Sequence, residues 1–354
     1  LKYNYEWALK DAIFTKDKGK VFSCFACGGG STMGYKLSGF DVIGMNEIDP
    51  KMAEVYIENH KPKHAFVEPI QEFVKRDDLP NELYNLDILD GSPPCSSFSL
   101  SGNREKDWGK EKKFREGQAE QVLDTLFFDF IELGKKLQPK VIIAENVKGL
   151  LQGDARRYVT KIMDAFYEAG YYVNYKLLDA STMGVPQRRQ RVFFHAIRKD
   201  LYCGKFADLF QRRPQLNLEF KEKPILYKEV REKSGNPDAE GLSPMIEKYW
   251  ELTKEGCSFS TAHPKGSYFN EIKLGRNKVI PTLRASGLPY DYEVKRVLYK
   301  REICKAGSFP TDYNFLNNKP IYLVGMSVPP IMTAQIADRV YDQWLKPLGD
   351  KNDQ

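Results

Sequence analysis

An apolar run from Leu86 to Leu89 stops against Gly91-Ser92-Pro93-Pro94, and Cys95 follows at once. Proline cannot donate to a sheet ladder and fixes its own φ, so two in succession end a strand abruptly. The pattern predicts a buried strand with Cys95 in a stiff turn at its C-terminal end. In open α/β sheets, ligands bind outside that end of the strands. Free cysteines that only pack are common, and position alone leaves the packing and reactive readings of Cys95 level.

Other apolar runs repeat the plan. Val21 to Ala26 reads as a strand entering Cys27-Gly28-Gly29-Gly30-Ser31-Thr32, then a short helix closed by Gly39. Strand, glycine-rich turn and helix form a layout that holds a ligand at a helix N-terminus. The glycine spacing is not G-x-G-x-x-G, which argues against a dinucleotide's phosphates. Phe40 to Met45 is a second strand ending at Asn46-Glu47-Ile48-Asp49, where an acid suits a ribose diol. Pro50 opens a helix through His60, and His64 to Val67 is a weak strand ending at Glu68. Ala119 to Leu137 and Asp154 to Gly170 read as helices, and Tyr171 to Leu178 as a strand. Pro139 precedes the strand Val141 to Ala144, which ends in Glu145-Asn146-Val147. Pro186 to Arg191 then enters a strand, Val192 to Ile197, and alternation places Arg189 and Arg191 on one face. The alternative for that pair is a surface salt bridge.

Between Gly102 and Gln118 lies a charged loop with Trp108 and Phe114 interleaved. It is either a solvated loop or a basic lid over a phosphate backbone. From 200 to 280 the strand–helix alternation is lost, and scattered basic and aromatic residues predict a small irregular or β-rich domain. A helix from Glu293 to Lys305, a strand from Ile321 to Val324 and a helix from Ile331 to Leu345 follow. The expected division is an N-terminal extension (1–19), an α/β domain (20–199) and a small domain (200–320). A strand and helix returning to the first sheet (321–346) and a tail (347–354) complete it.

With 354 residues the chain has room for one large domain or two unequal ones. The net charge of +6 is a mild bias toward a polyanionic partner. No apolar run of bilayer-spanning length is expected, and Leu1 to Lys20 has no signal-peptide core. Cys24 and Cys27 form a lone CxxC without a second pair, so neither a zinc site nor a disulfide framework is expected. A reducing cytosolic setting fits.

In this order and at these spacings the motifs resemble those of DNA (cytosine-5) methyltransferases of the bacterial and phage type, over residues 20 to 345. Phe25-Ala26-Cys27-Gly28-Gly29-Gly30 is similar to the first motif, and Asn46-Glu47 to the ribose-binding acid. Pro93-Pro94-Cys95 is similar to the nucleophile motif, Glu145-Asn146-Val147 to the ENV motif and Gln187 to Arg191 to the QxRxR motif. Pro281-Thr282-Leu283-Arg284 and Gly325 to Pro330 resemble the last two.

The resemblance implies a Rossmann-like, S-adenosyl-L-methionine-dependent fold: a mixed seven-stranded sheet with a smaller target-recognition domain. It implies methyl transfer to C5 of a cytosine flipped out of a specific double-stranded DNA sequence. It also implies a monomer without metal, in a restriction-modification or phage setting. Catalytic residues would be Cys95, Glu145, Arg189 and Arg191. The cofactor would be held by Phe25, Ala26, Gly28, Gly29, Gly30, Glu47, Ile48, Glu68, Pro94, Ser327 and Val328. DNA would meet Ser99, Ser101, Arg104, Gln187, Thr282 and Arg284. Departures are Ser23 where the first motif often begins with Asp, Ser96 where Gln commonly follows the cysteine, Glu68 where Asp is usual, and Met326 where Asn commonly stands.

These residue types suit the reaction. A thiolate adding to C6 makes C5 electron-rich, and a carboxyl group at N3 and N4 stabilises the charge that builds on the ring. Nearby cations lower a thiol's pKa, and Arg189 and Arg191 are the candidates. By resemblance, Arg189 would hold the cytosine O2 and Arg191 would orient Glu145. Rival readings are a tRNA cytosine-5 methyltransferase, a NAD-dependent oxidoreductase and an inactive DNA-binding protein. The first lacks its Cys-Phe-Thr signature in residues 200 to 300, the second lacks G-x-G-x-x-G, and the third would have lost Cys95 or Glu145.

Overall fold

The computed structural model describes residues 1–94, 125–153, 155–202, 214–235, 242–268 and 270–349. The chain divides into two compact units. The sheet unit comprises Phe14–Leu178, Gln190–Glu219 and Ala334–Gln354; the smaller unit comprises Leu1–Ile13, Asp179–Arg189 and Phe220–Thr333. This division cuts the chain differently from the boundaries expected at 19, 199 and 320.

The sheet unit contains the expected mixed seven-stranded sheet. Its strands are β1 (Lys20–Cys24), β2 (Asp41–Asn46), β3 (His64–Phe66), β4 (Ile88–Gly91), β5 (Val141–Val147), β6 (Tyr171–Asp179) and β7 (Gln190–Arg198). Their order is β3-β2-β1-β4-β5-β7-β6. β1 pairs parallel with β2 and β4, and β4 pairs parallel with β5. The strand order therefore reverses at β1 and β4, the switch point where α/β sheets open a crevice. β7 runs antiparallel to β5, with Val147 opposite Arg191 and Val141 opposite Ile197. That reversal brings the start of β7 to the carboxyl ends of the parallel strands. Val141 to Ala144 are buried, as a strand covered on both faces requires.

The helices of this unit are α1 (Gly30–Leu37), α2 (Pro50–His60), α3 (Ile70–Lys75), α4 (Leu126–Leu137), α5 (Ala155–Glu168) and α6 (Lys199–Tyr202). α2 starts where the sequence demands: Pro50 stands at the first helical position, and Asp49 Oδ1 accepts the N–H of Lys51 (2.9 Å) and Met52 (3.4 Å). α4 buries Leu126, Phe127, Phe130, Ile131, Leu133 and Leu137 in the core. Gly91 at the end of β4 has no room for a side chain, since a Cβ there would lie 2.5 Å from Phe130.

The smaller unit holds α7 (Tyr227–Val230), α8 (Pro244–Tyr249), α9 (Lys300–Ala306), α10 (Pro320–Met326) and a three-stranded sheet. That sheet is formed by β8 (Cys257–Ser258), β9 (Ile272–Lys273) and β10 (Pro289–Tyr290), in the order β10-β9-β8. The helix α11 (Pro330–Val340) continues through a π-helical turn, Tyr341–Leu345, into α12 (Lys346–Gly349).

Three expectations are corrected. Ile321 to Val324 is not a strand but the body of α10, opened by Pro320; a four-residue apolar run carries no period that separates strand from helix. The helix expected from Glu293 shrinks to α9, because Asp291 Oδ1 accepts the N–H of Glu293 (2.9 Å) and Val294 (2.8 Å) in a turn. The stretch Pro320–Gly349 does contain one 18-residue window apolar enough for a bilayer by composition, with a mean hydropathy of 1.2. Its window is 83% buried in protein, as a core segment is.

Candidate active site

The turn after β1 has an unusual backbone. Phe25 and Cys27 take left-handed conformations, φ 52° and 46°, followed by Gly29 at φ 79°. Such non-glycine residues cost roughly 1–3 kcal/mol each and persist only where the surroundings dictate them. Here the Cys27 N–H donates to Glu47 Oε2 (2.7 Å), the Ala26 N–H to Asn46 O (3.3 Å) and the Gly29 N–H to Ala26 O (2.8 Å). The Phe25 ring leans on Phe130, centroids 6.3 Å apart. Gly29 cannot be replaced without movement, because its Cβ would fall 2.2 Å from His60 Nε2. Gly28 and Gly30 are buried beside it, and no side chain among the described residues caps α1.

Glu47 stands at the tip of β2. Besides Cys27 it accepts the Asp49 N–H on Oε1 (2.8 Å). Burial pushes its carboxyl up, and the backbone donors oppose that. These backbone donors do not use all four lone-pair sites of the carboxylate, which leaves room for a ligand hydroxyl. Ile48 is half-buried at the same tip. Glu68, beyond β3, accepts Arg76 Nη1 at 3.1 Å, while its carbonyl takes Asn46 Nδ2 at 2.8 Å.

At the ends of β4 and β5 lie the other candidates. Asn146 Nδ2 donates to Pro93 O (3.2 Å), pinning the double proline. Pro94 is the last described residue before the nucleophile motif; Cys95, Ser99, Ser101 and Arg104 lie outside the described residues. Arg191 Nε is 2.9 Å from Glu145 Oε1, with both side chains largely buried. Glu145 pairs with Phe193 and Val147 with Arg191, so the two side chains are diagonal neighbours on one face. Burial pulls the Arg191 guanidinium down and Glu145 holds it up.

The remaining candidates belong to the smaller unit. Arg189, 2% exposed, donates from Nη1 to Leu283 O (3.2 Å) and from Nη2 to Gly325 O (3.0 Å). Alternation puts Arg189 with Arg191, but β7 begins only at Gln190, and the two guanidiniums have different partners. Gln187 is a buried staple: Nε2 donates to Ala306 O (3.1 Å) and Oε1 accepts the Leu283 N–H (2.9 Å). Thr282 Oγ1 donates to Arg188 O (2.7 Å), and Arg284 Nη1 to Asn270 Oδ1. Ser327 Oγ donates to Leu323 O (2.8 Å), and Val328 is buried.

One residue escaped the sequence reading. Asp90 lies inside β4, 5% exposed, with three hydroxyl donors on its carboxylate: Ser31 (2.7 Å), Ser23 (2.9 Å) and Tyr35 (3.1 Å). The available signal was an acid inside the apolar run Ile88-Leu89-Asp90-Gly91. Among the described residues no group of three His, Cys, Asp or Glu could hold a metal ion.

A mixed sheet of this order, with a glycine-rich turn after its first strand and an acid after its second, defines a Rossmann-like methyltransferase. The chain belongs to the C-5 cytosine-specific DNA methylase family, which matches residues 19–342. It is 28% identical over 338 residues to the type II methyltransferase M1.HphI of Haemophilus parahaemolyticus, covering 89% of this chain and 85% of that one. It is 26% identical to M.Bsp6I of Bacillus sp. (strain RFL6), covering 92% and 99%. The match to M.FnuDI of Fusobacterium nucleatum is 37% identical and covers 53% of this chain and 49% of that protein. The chain thus spans about half the length of the first curated relatives it matches. In fold it is similar to a Dnmt2 methyltransferase of S. pombe, with a TM-score of 0.60, 15% identity and coverage of 94% and 99%.

Proposed function

We propose that this protein is a DNA (cytosine-5) methyltransferase. It transfers a methyl group from S-adenosyl-L-methionine to C5 of a cytosine flipped out of a specific double-stranded DNA sequence. It acts as a monomer in the cytosol, in a restriction-modification or phage setting. The observation that carries this reading is the Glu145–Arg191 ion pair at the carboxyl edge of the sheet. It sits one strand away from the Pro93-Pro94 corner that leads to Cys95.

The residues at the turn after β1 fit the cofactor. Gly28 to Gly30 bring backbone close to a ligand, Glu47 and Ile48 offer a ribose-binding tip, and Phe25, Ala26, Glu68 and Pro94 are assigned to the cofactor by family resemblance. Ser327 and Val328 are assigned to the cofactor by family resemblance. When bound, S-adenosyl-L-methionine supplies an electrophilic methyl group.

The chain's own residues prepare the base. The Cys95 thiolate adds to C6, and the electron pair of the C5–C6 bond becomes available at C5. Glu145, oriented by Arg191, shares a proton with N3 and hydrogen-bonds N4 as charge develops. After transfer the C5 proton leaves to a base and the C6–S bond breaks, which restores the thiolate. Arg189 stiffens the segment leading into β7. Residues 200–280 read the flanking bases and hold phosphates, Thr282 and Arg284 follow them in the chain, and Ser99, Ser101 and Arg104 are assigned to DNA by family resemblance.

The test is methyl transfer to duplex DNA with labelled cofactor, alongside tRNA. Cys95→Ala is expected to abolish transfer with cofactor binding retained. DNA containing 5-fluorocytosine is expected to trap an adduct that peptide mapping places on Cys95. Label in tRNA alone, or a fully active Cys95→Ala protein, would overturn the reading.

A further inference from the structure

We infer that Asp90 is a positioning residue that fixes the glycine-rich turn for the cofactor, by gathering Ser23, Ser31 and Tyr35 into one hydrogen-bonded node. The inference rests on the methyltransferase reading above.

Asp90 pairs in register with Ser23 across β1 and β4. Ser31 and Tyr35 are four residues apart on α1, so they present to the same side of that helix. One carboxylate thus ties together three segments that each lead into the candidate site. β1 leads to the left-handed turn at Phe25 and Cys27, α1 begins at Gly30, and β4 runs to Pro93-Pro94. Oδ2 takes both serine hydroxyls, and Oδ1 takes the tyrosine.

The fold alone gives little reason for an acid here. Phe22 and Leu89 beside it are fully buried apolar residues, and well-packed apolar groups generally stabilise an interior as well as or better than a buried charge does. A buried carboxylate is retained at a cost in desolvation that three donors offset. What it adds is direction. An apolar side chain would let α1 slide against β4 by fractions of an ångström, whereas three hydrogen bonds to one carboxylate set the helix start. The turn from Phe25 to Gly30 hangs between β1 and that helix start, so its shape follows.

The experiment measures S-adenosyl-L-homocysteine binding by calorimetry with the full chain, alongside thermal unfolding of each variant. Asp90→Asn is expected to weaken binding about tenfold or more at a temperature where it is fully folded, while kcat at saturating cofactor stays near the wild-type value. The exchange Ser23→Asp with Asp90→Ser returns a carboxylate to the same node from the other strand. It is expected to recover most of the lost affinity. Tyr35→Phe removes one donor and keeps the ring, and is expected to weaken binding by a smaller factor even if Asp90→Asn fails to fold. Asp90→Asn or Tyr35→Phe proteins that are folded and bind as tightly as wild type would overturn the inference alone. So would an exchange variant that folds without recovering affinity. A folded wild-type protein that binds no S-adenosyl-L-homocysteine would overturn the methyltransferase reading itself.

Discussion

In the sheet unit, Phe22 stacks on Phe73 at 5.5 Å and Phe127 meets Phe194 edge-on at 5.3 Å, within a core of aliphatic and aromatic side chains. In the smaller unit, the fully buried groups include two carboxylates, Asp291 and Glu302. Asp291 takes Arg231 Nε at 2.6 Å and the Tyr227 hydroxyl at 2.8 Å, and Arg296 bridges from Asp291 (3.3 Å) to Glu302 (2.7 Å). A separate aromatic cluster, Trp250, Phe259 and Tyr290, stands under its short strands. Apolar burial has no direction and suits a regular sheet, whose own ladder sets the geometry. The smaller unit has little ladder, and a satisfied charge network supplies the direction instead.

The N-terminal segment follows the same logic. Expected as an extension, residues 1–13 are part of the smaller unit: Trp7 Nε1 donates to Ser308 O (2.9 Å), and the N–H of Leu9 donates to Asp312 (2.7 Å). They are joined by polar ties, with Glu6 bridging to Arg301 and Lys305.

This contrast is sharpest under large truncations. Asp291→Ala takes a shared buried carboxylate from Arg231 and Arg296, which keep Glu293 and Glu302, and is expected to cost about 3–5 kcal/mol; Phe130→Ala opens a cavity in the sheet unit and is expected to cost about 3–5 kcal/mol. Denaturant unfolding measures both. The difference between them is sensitivity to salt and pH, expected for the first and absent for the second. An Asp291→Ala loss below about 1 kcal/mol would mean that the network is not what holds that unit.

The next effect is titration of a buried acid inside the sheet unit, Asp90. Burial pushes Asp90 up to about 6 against its three hydroxyl donors, and Glu145 adds to the rise. Cys24, Tyr35 and Tyr56 face it and are themselves pushed up, mainly by burial. A carboxyl whose folded value is raised favours the fold when protonated. Its contribution is full below the unfolded value near 4 and is lost as pH rises through about 6, a swing of about 3 kcal/mol. The stability difference between wild type and Asp90→Asn should change by that order between pH 4 and pH 7; a flat difference would place the acid in a more polar setting.

The smallest effects should not distinguish the units at all. Asp49→Ala and Ser243→Ala each remove a helix cap, at α2 and α8, and each is expected to cost about 1 kcal/mol. Caps act on a single turn, so unequal losses would point to coupling with the interior.

The elements that could be read from the chain are those whose signals are local. Pro50 behind Asp49 starts α2, and the apolar run Val141 to Ala144 makes a strand, because capping and burial on two faces act within a few residues. The Pro93-Pro94 corner ends β4 for the same reason. α10 could not be read, since four apolar residues fit a strand as well as a helix and only their packing chooses.

At the site, sequence alone determined which residue types stand at the carboxyl ends of the strands: the glycine-rich turn, Glu47, Glu145 and the arginines. Tertiary structure decided which of them meet. Arg191 reaches Glu145 because β7 runs antiparallel to β5, and Arg189, two residues earlier, turns to Leu283 and Gly325. Gln187 became a staple and Asp90 the centre of a node through partners far away in the chain. A hydrogen bond depends on where its partner lies in space. Spacing along one chain carries that information within a strand or a helix turn and loses it beyond.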